Sequence, residues 1–343
     1  MLKKIFFISL LCISWLTVFA SEKSLYDYKI TTEQQLKKEY IRVISPYFYK
    51  HKLHFFTSVD NIKIAYKIFK VSHALGAIVI VNGRTEGMIK YQELIYDLNR
   101  NGYDVYILDH RGQGYSGRLV ADAQMGYVDN FFNYVDDLKF FVSNFVPKAK
   151  KRILLAHSMG GAIASLYVEH YKHDFDALIL SSPMAEPNVL TPGMTPLICQ
   201  ELQKRKKNLK SYLMGTKSYD VLKYQFDEND LTHSKVRFEI MKKAYAKEPE
   251  TRIGGASRKW LQEACKWSSI SIKNAYKIEI PILLFQAQKD TAVTAKGEDA
   301  FCKKAAPFCK KIVVPGAYHE LFIEKDPIRK RVLESILNFI AKI

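Results

Sequence analysis

The chain has 343 residues, 48% of them hydrophobic and 13% aromatic, which suffices to bury a full α/β core and one inserted subdomain. This composition excludes a chain that is disordered throughout. The formal net charge of +17 favours an anionic partner, either nucleic acid or an anionic membrane surface, but a net charge defines neither a fold nor a reaction.

The first twenty residues have the pattern of a secretory signal peptide. Two lysines precede an apolar run at 5–19, and the small residues Val18 and Ala20 stand at the positions that a signal peptidase recognises. We therefore expect removal of residues 1–20 and an exported protein, periplasmic or secreted, with an uncleaved inner-membrane anchor as the alternative. Because such a chain also lacks a recognisable nucleic-acid-binding module, we expect association with an anionic membrane and no nucleic-acid partner.

Four of the five cysteines follow the predicted signal, and they are Cys199, Cys265, Cys302 and Cys309. An even number of cysteines in an oxidising compartment favours disulfide bonds, and Cys302 with Cys309 is the closest pair in sequence. Unpaired thiols without a role are the alternative. No spacing of cysteine and histidine is typical of a metal site, so the sequence predicts no bound metal.

Runs of β-branched and apolar residues alternate with helical patterns along most of the chain. Strands are predicted at 53–57, 62–69, 77–81, 104–108, 152–156, 177–180, 281–287 and 311–314, and helices at 91–99, 131–145, 161–171, 297–306 and 328–340. The first two strands flank Asp60 and Asn61, a pair typical of a hairpin turn. The later strands are separated by helices, which predicts a mostly parallel sheet with helices on both faces, the α/β class.

The alternation is interrupted by a long segment, which predicts an inserted helical cap at 186–277 between core segments at 21–185 and 278–343. Helical patterns within this segment cover 196–209 and 234–246. The cap is dense in cations, among them Lys204, Arg205, Lys206, Lys207, Lys210, Lys242, Lys243 and Lys247. We expect these cations to dock the protein on an anionic membrane, with a merely solubilising surface as the alternative.

A serine stands in the turn that joins a predicted strand to a predicted helix. The run Ala156-His157-Ser158-Met159-Gly160 has the small-x-Ser-x-Gly pattern of a nucleophile elbow, in which a strained turn exposes the serine above the sheet. Strand and helix pass closely there, so the residues two before and two after the serine must be small, as Ala156 and Gly160 are. Ala156 replaces the usual glycine and adds one methyl group. An ordinary strand-to-helix turn is the alternative for this motif taken alone.

A serine hydroxyl is a weak nucleophile at neutral pH, so it needs a base within hydrogen-bond reach and an acid that orients this base. Asp290 and His319 each follow a predicted strand, in the chain order Ser, Asp, His that α/β hydrolases use. Ser158, His319 and Asp290 are therefore the predicted nucleophile, base and orienting acid. Glu320 and Asp326 are rival acids, and we expect them to be solvated surface charges.

The loop after the predicted strand 77–81 reads Asn82-Gly83-Arg84. In α/β hydrolases a loop at this place supplies one backbone N–H of the oxyanion hole, and the residue after the nucleophile supplies the other. Arg84 and Met159 are therefore the predicted oxyanion-hole residues. A plain turn is the alternative for the loop.

Gly112, Gly114 and Gly117 spell the G-x-G-x-x-G pattern of dinucleotide-binding loops. That function requires a helix directly behind the glycines and an acid about twenty residues later, at the end of a second strand. Here a loop follows Gly117 before the predicted helix at 131–145. The sequence therefore predicts no cofactor.

Eight short runs together carry a more specific resemblance. They are NGR at 82–84, KYQEL at 90–94, LDHRGQG at 108–114, YVDDL at 134–138, AHSMGGA at 156–162 and GAYHE at 316–320, with LTHS at 231–234 and RIGG at 252–255 in the cap. Over most of residues 50–338 the chain resembles the bacterial lysophospholipases of the inner-membrane L-two type, α/β hydrolases in the wider group of the monoacylglycerol lipases. Ala156 in the elbow is normal for this branch, whereas the exported leader is a departure from it.

The resemblance implies a reaction. It is hydrolysis of the remaining acyl ester of a lysophospholipid, through an acyl-enzyme on Ser158, to a free fatty acid and a glycerophosphodiester, with no cofactor. A monoacylglycerol lipase or another carboxylesterase or peptidase of the same fold is one alternative, since fold and triad do not fix the leaving group. A non-catalytic lipid-binding adaptor at the membrane is the second.

Overall fold

The computed structural model of the protein describes residues 27–189, 193–218 and 223–343, so the predicted signal peptide lies outside the described residues. Within them the strands are β1 (His54–Thr57), β2 (Lys63–Phe69), β3 (Gly76–Val81), β4 (Tyr103–Leu108), β5 (Arg152–His157), β6 (Ala177–Ser181), β7 (Ile282–Ala287) and β8 (Cys309–Val314). They form one sheet in the order β1-β2-β4-β3-β5-β6-β7-β8, with β1–β2 and β2–β4 antiparallel and the other neighbours parallel. This confirms the α/β class and the hairpin around Asp60 and Asn61.

Helices cover both faces of the sheet. They are α1 (Glu33–Glu39), α2 (Ser45–Lys50), α3 (Gln92–Arg100), α4 (Phe132–Phe145), α5 (Met159–His170), α6 (Thr195–Lys204), α7 (Lys235–Lys247), α8 (Arg258–Asn274), α9 (Ala295–Lys304) and α10 (Asp326–Lys342). Alternate side chains of a strand point to opposite faces, so Ile78 and Ile80 of β3 pack with α3 and α10, whereas Val79 and Val81 pack with α4 and α5. Each helix in the described residues is too short or too polar to span a bilayer.

The segment predicted as the cap holds α6, α7 and α8 between β6 and β7. Helix α7 packs against α1 and the turn Met88–Tyr91, and α8 packs against α5 and α9 of the core. A disulfide between Cys199 and Cys265 joins α6 to α8. A second disulfide, between Cys302 and Cys309, joins α9 to β8 and is the pair expected from its short spacing.

Helix α6 is shorter than predicted. The sequence predicts a helix at 196–209, but α6 ends at Lys204, and Arg205 already has an extended backbone with φ −75° and ψ 133°. Further on, Asn208 adopts a positive φ of 57°, which no helix accommodates. The four consecutive cations at 204–207 would repel one another within one helical turn, which opposes continuation of the helix.

The cations predicted to form one basic surface fall into two groups. Five of them lie at or after the end of α6 and are exposed, and Nζ of one of these, Lys210, lies 5.5 Å from the centroid of the Tyr127 ring. The other three lie on α7, where Lys247 Nζ is 3.6 Å from the ring centroid of Tyr49 and Lys243 lines a groove against residues of α1 and the following helical turn. Lys243 and Lys247 therefore face the N-terminal segment, 27–50, whereas Lys242 Nζ donates to the carbonyl oxygen of Tyr224 at 2.7 Å.

Candidate active site

Ser158 lies in the turn between β5 and α5, with φ 52° and ψ −121°. This backbone conformation is rare for a residue other than glycine and is held in place by the packing around it. A Cβ on Gly160 would lie 2.0 Å from the carbonyl oxygen of Val81, so no larger residue fits between the helix and β3. The geometry is that of the predicted elbow.

Asp290 and His319 meet at the carboxyl ends of β7 and β8. The Nδ1 atom of His319 lies 2.7 Å from Asp290 Oδ2, and both side chains are buried. The other oxygen, Asp290 Oδ1, accepts hydrogen bonds from the backbone N–H groups of Ala292 and Val293 at 2.8 and 3.0 Å. With its Nδ1–H donated to the carboxylate, His319 presents Nε2 as the atom that can take a proton.

The predicted oxyanion loop lies against Ser158. A Cβ on Gly83 would be 3.2 Å from Ser158 Cβ, so the bare glycine backbone makes this close approach possible. Gln113 Nε2 donates to the carbonyl oxygens of Gly83 at 2.6 Å and of Glu86 at 3.0 Å, and these two hydrogen bonds hold the loop in place. Among the described residues, the backbone N–H groups of Arg84 and Met159 have no acceptor. These two donors therefore stay available on the loop and on the elbow.

A network of buried charges lies behind the Ser158 elbow. Lys90 Nζ is 2.6 Å from Glu320 Oε1 and also contacts Glu86 Oε1. His157 lies beside the same carboxylate, with Nε2 3.2 Å from Glu320 Oε2, and its Nδ1 is 3.0 Å from the carbonyl oxygen of Ser181. Glu86 also accepts the backbone N–H of Gly83, so this network reaches the oxyanion loop directly.

The prediction that Glu320 is a solvated surface charge is wrong. Its side chain is only 9% exposed, because Lys90 from one loop and His157 from the elbow enclose it. Asp326, predicted in the same way, accepts the Glu33 backbone N–H at 2.9 Å and Arg237 Nη2 at 2.8 Å, and it joins the N-terminal segment to α7. Asp290 is the acid that contacts His319.

The charged groups in the network stabilise one another's ionised forms. Burial lowers the pKa of Lys90, but the carboxylates of Glu320 and Glu86 outweigh it and raise that pKa above its ordinary value. The pKa of His157 is likewise raised by Glu320 and Glu86 against the effect of burial. Although burial raises the pKa of Glu320, Lys90 and His157 bring it well below its usual range.

The centroid of the His157 ring lies 4.8 Å from that of His319, so the network borders the imidazole of the predicted base. Three residues of the network are of types that ligate metals: ligand atoms of Glu86, His157 and Glu320 lie within 4.8 Å of one another. The Lys90 ammonium contacts both carboxylates, so a cation of the protein itself already lies between them. The arrangement is that of an ion-pair cluster rather than an open metal site.

The glycine-rich run after β4 folds around a buried acid. Asp109 accepts the backbone N–H groups of Met88 at 2.6 Å and Tyr115 at 2.8 Å, and burial raises its pKa to about 7. Gly114 has a positive φ of 55°, and a Cβ there would lie 2.1 Å from Asp109 Oδ2. The glycine spacing therefore serves a tight turn that holds two loops together.

The mostly parallel sheet, the serine elbow and the Asp-His pair, each on a loop after its strand, define an α/β hydrolase. Over residues 72–326 the chain matches the family described as serine aminopeptidase, S33, and it belongs to this family of hydrolases. It is 37% identical over 293 residues to lysophospholipase L2 of Escherichia coli (strain K12), covering 83% of this chain and 86% of that protein. These findings confirm the resemblance predicted from the sequence runs.

More distant relatives have the same fold. Monoacylglycerol lipase of Mycolicibacterium smegmatis is 24% identical over 293 residues, covering 84% of this chain and 96% of that protein. The crystal structure of a soluble variant of monoglyceride lipase from Saccharomyces cerevisiae, in complex with a substrate analogue, superimposes with a TM-score of 0.67 at 20% identity, covering 85% of this chain and 96% of that one.

Proposed function

We propose that the protein hydrolyses the acyl ester of lysophospholipids, releasing a fatty acid and a glycerophosphodiester. The observation that carries this proposal is the 2.7 Å contact between His319 Nδ1 and Asp290 Oδ2, in a chain whose Ser158 stands in a strained elbow and which is 37% identical to a lysophospholipase. Hydrolysis of monoacylglycerols is the second candidate, favoured by the similarity to monoacylglycerol lipases.

The site supplies each step of an acyl transfer. Ser158 Oγ attacks the ester carbonyl carbon while His319 Nε2 takes the hydroxyl proton, and Asp290 stabilises the imidazolium that forms. The carbonyl oxygen becomes an oxyanion and receives the backbone N–H groups of Arg84 and Met159. His319 then protonates the leaving glycerol oxygen, and a water molecule activated by the same imidazole releases the fatty acid and regenerates the serine.

The test uses purified protein and a panel of lysophospholipids, a monoacylglycerol and a peptide amide. Mass spectrometry of the products should show a free fatty acid together with the matching glycerophosphodiester, and a fluorophosphonate probe should label Ser158. The Ser158→Ala variant should fold normally, lose the labelling and lose turnover by a factor on the order of 10⁴ to 10⁶. Cleavage of the monoacylglycerol alone would favour the second candidate, and undiminished turnover by the variant would refute both.

The proposal includes a location. An exported protein fits the signal-like pattern at 1–20 and the two disulfides among the described residues, which persist in oxidising compartments. Binding to an anionic membrane is supported by the cations that follow α6 and by three exposed apolar side chains nearby in sequence, Met194, Leu197 and Met214. We call these cations and apolar side chains together the α6 surface.

A further inference from the structure

Arg84 places a guanidinium group between the oxyanion loop and the cap. Its Nη1 donates to the carbonyl oxygen of Gly254 at 3.1 Å, and its Cζ lies 5.1 Å from the ring centroid of Trp260 in α8. Gly126 also borders the group, since a Cβ there would lie 3.2 Å from Arg84 Nη1. The side chain is thus held at the boundary of core and cap, directly after the glycine that touches Ser158.

Most of the donors of this guanidinium are unused. An arginine side chain has five N–H donors, and among the described residues only Nη1 of Arg84 has a hydrogen-bond partner. Its other nitrogens are not among the fully enclosed polar atoms of the described chain, so they border accessible space. Within the same residues no carboxylate lies within 4 Å of the group, and burial lowers its pKa to about 10.

Three other arginines among the described residues are bound differently. Arg111, Arg118 and Arg237 each have an acceptor for all three guanidinium nitrogens, either carboxylates or backbone carbonyls. Arg118 is the nearest counterpart of Arg84, since it too reaches the cap, where it donates to the carbonyl oxygens of Glu250 and Arg252. Arg84 alone of these four keeps several donors open.

A charged group that is partly desolvated and lacks a counter-ion attracts an anion, and a guanidinium fork fits the oxygens of a phosphate. The position of Arg84 indicates which anion would bind. The backbone N–H of the same residue faces the ester oxygen in the proposed mechanism, so ester and guanidinium are separated by one arginine side chain. In a lysophospholipid the glycerol carbons separate the ester from the phosphate in a comparable way, whereas a monoacylglycerol offers only a neutral hydroxyl there.

We propose that the Arg84 guanidinium binds the phosphate of the substrate and makes the enzyme prefer phosphate-bearing acylglycerols to neutral ones. The preference between substrates depends on the proposed ester hydrolysis at Ser158. Phosphate binding itself is independent of catalysis, because the Arg84 side chain belongs to the free protein.

The kinetic test compares lysophosphatidylglycerol and monoacylglycerol with the same short acyl chain, both below micelle-forming concentrations. The ratio of their kcat/KM values should fall by about 10- to 100-fold in Arg84→Met, since a charge-assisted contact is lost with one substrate only. Arg118→Met is the matched control, which removes another arginine at the cap and should leave the ratio as in the wild type. An unchanged ratio in Arg84→Met, or an equal fall in both variants, would overturn the proposal.

A binding test separates the two proposals. Calorimetry with Ser158→Ala should detect glycerol 3-phosphate but not glycerol, and the double variant Ser158→Ala/Arg84→Met should lose this binding. If the wild type cleaves neither ester, the proposed function fails, while Arg84-dependent binding of glycerol 3-phosphate would still support the phosphate site. Binding that persists in the double variant would refute the phosphate site even if lysophospholipid hydrolysis is observed. Thermal unfolding of each variant confirms that it is folded.

Discussion

Lys90 and Glu320 form a buried ion pair, with Nζ and Oε1 2.6 Å apart, across the base of the candidate active site. Lys90 belongs to the turn after the loop that holds Gly83 and Arg84, and Glu320 directly follows His319 in the chain. Because Lys90 also contacts Glu86, which accepts the Gly83 backbone N–H, one ammonium group connects this loop to the loop of His319. The proposed oxyanion loop and the proposed catalytic base are thereby linked.

Replacing Lys90 should damage both stability and turnover. Lys90→Met leaves the buried carboxylates of Glu86 and Glu320 without their cation, which we expect to cost about 3–5 kcal/mol of unfolding free energy. The shifted loops should lower kcat by about 10- to 100-fold, because small misplacements of catalytic groups cost large factors in rate. Urea unfolding and ester hydrolysis below the unfolding range of the variant measure the two effects separately.

Lys330→Met is the matched control for this variant. Lys330 pairs with Glu334, one helical turn further along α10, at 3.8 Å, and its side chain is 63% exposed. Pairs of this kind contribute well under about 1 kcal/mol, so the control should unfold and turn over nearly as the wild type does. Equal effects of the two substitutions on unfolding and turnover would show that the ion pairs of Lys90 contribute no more than an ordinary surface pair.

Substitutions of three acids, Asp290, Glu320 and Asp326, should lower kcat to different extents. Asp290→Asn should lower kcat by about 10³- to 10⁴-fold, because an amide no longer holds the Nδ1–H tautomer of His319. Glu320→Gln should act mainly on stability, since it leaves Lys90 and His157 without their shared carboxylate. Asp326→Asn should change kcat only a few-fold, because its partners Glu33 and Arg237 are remote from the reacting groups. Hydrolysis rates and unfolding midpoints of the three variants test the order, and a larger loss of kcat in Asp326→Asn than in Asp290→Asn would refute it.

The features that could be predicted from the sequence are those with a local signal. The alternation of strands and helices in the core, the Ser158 elbow and the loops bearing Asp290 and His319 follow from periodicity and from residues a few positions apart. Glu320 was misjudged because its burial depends on Lys90, which is remote in the chain and reaches it only through the sheet topology. The same holds for the disulfide between Cys199 and Cys265, whose separation of 66 residues gives no local signal.

Glu298, in the first turn of α9, should make the stability of the protein depend on pH. Its side chain is fully buried, neither carboxylate oxygen has a partner among the described residues, and burial raises its pKa from 4.5 to about 9. A carboxyl group whose folded pKa is raised gives most stability below its unfolded pKa and loses it as the pH rises towards the folded value. Between these two values the loss should approach about 1.4 kcal/mol for each pH unit.

Glu298→Gln should remove this dependence, because the amide stays neutral. The variant and the wild type should have similar unfolding free energies at pH 5, and the variant should become the more stable of the two as the pH rises to 8. Chemical unfolding at a series of pH values measures the difference. Parallel pH curves for the two proteins would mean that Glu298 is charged or solvated in the folded state.

The α6 surface should bind anionic membranes through charge and apolar insertion together. Each lysine or arginine near an anionic surface contributes about 1 kcal/mol, and the four cations at 204–207 are exposed and consecutive. Met214 and Leu197 are 72% and 57% exposed, which leaves apolar surface for contact with the acyl region. Co-sedimentation should therefore be stronger with vesicles containing phosphatidylglycerol than with purely zwitterionic vesicles.

Two triple variants that remove the same number of positive charges show which cations bind the membrane. Changing Lys204, Lys206 and Lys207 to glutamine should weaken sedimentation with anionic vesicles. Changing Lys242, Lys243 and Lys247 should have little effect, because Lys242 donates to the carbonyl oxygen of Tyr224 and the other two face the N-terminal segment. At 1 M salt the Debye length is about 3 Å, so the charge-dependent part of the binding should vanish while insertion of Leu197 and Met214 persists. Equal loss in both triple variants would assign the binding to net charge alone, and equal binding to both kinds of vesicle would leave the cations without this role.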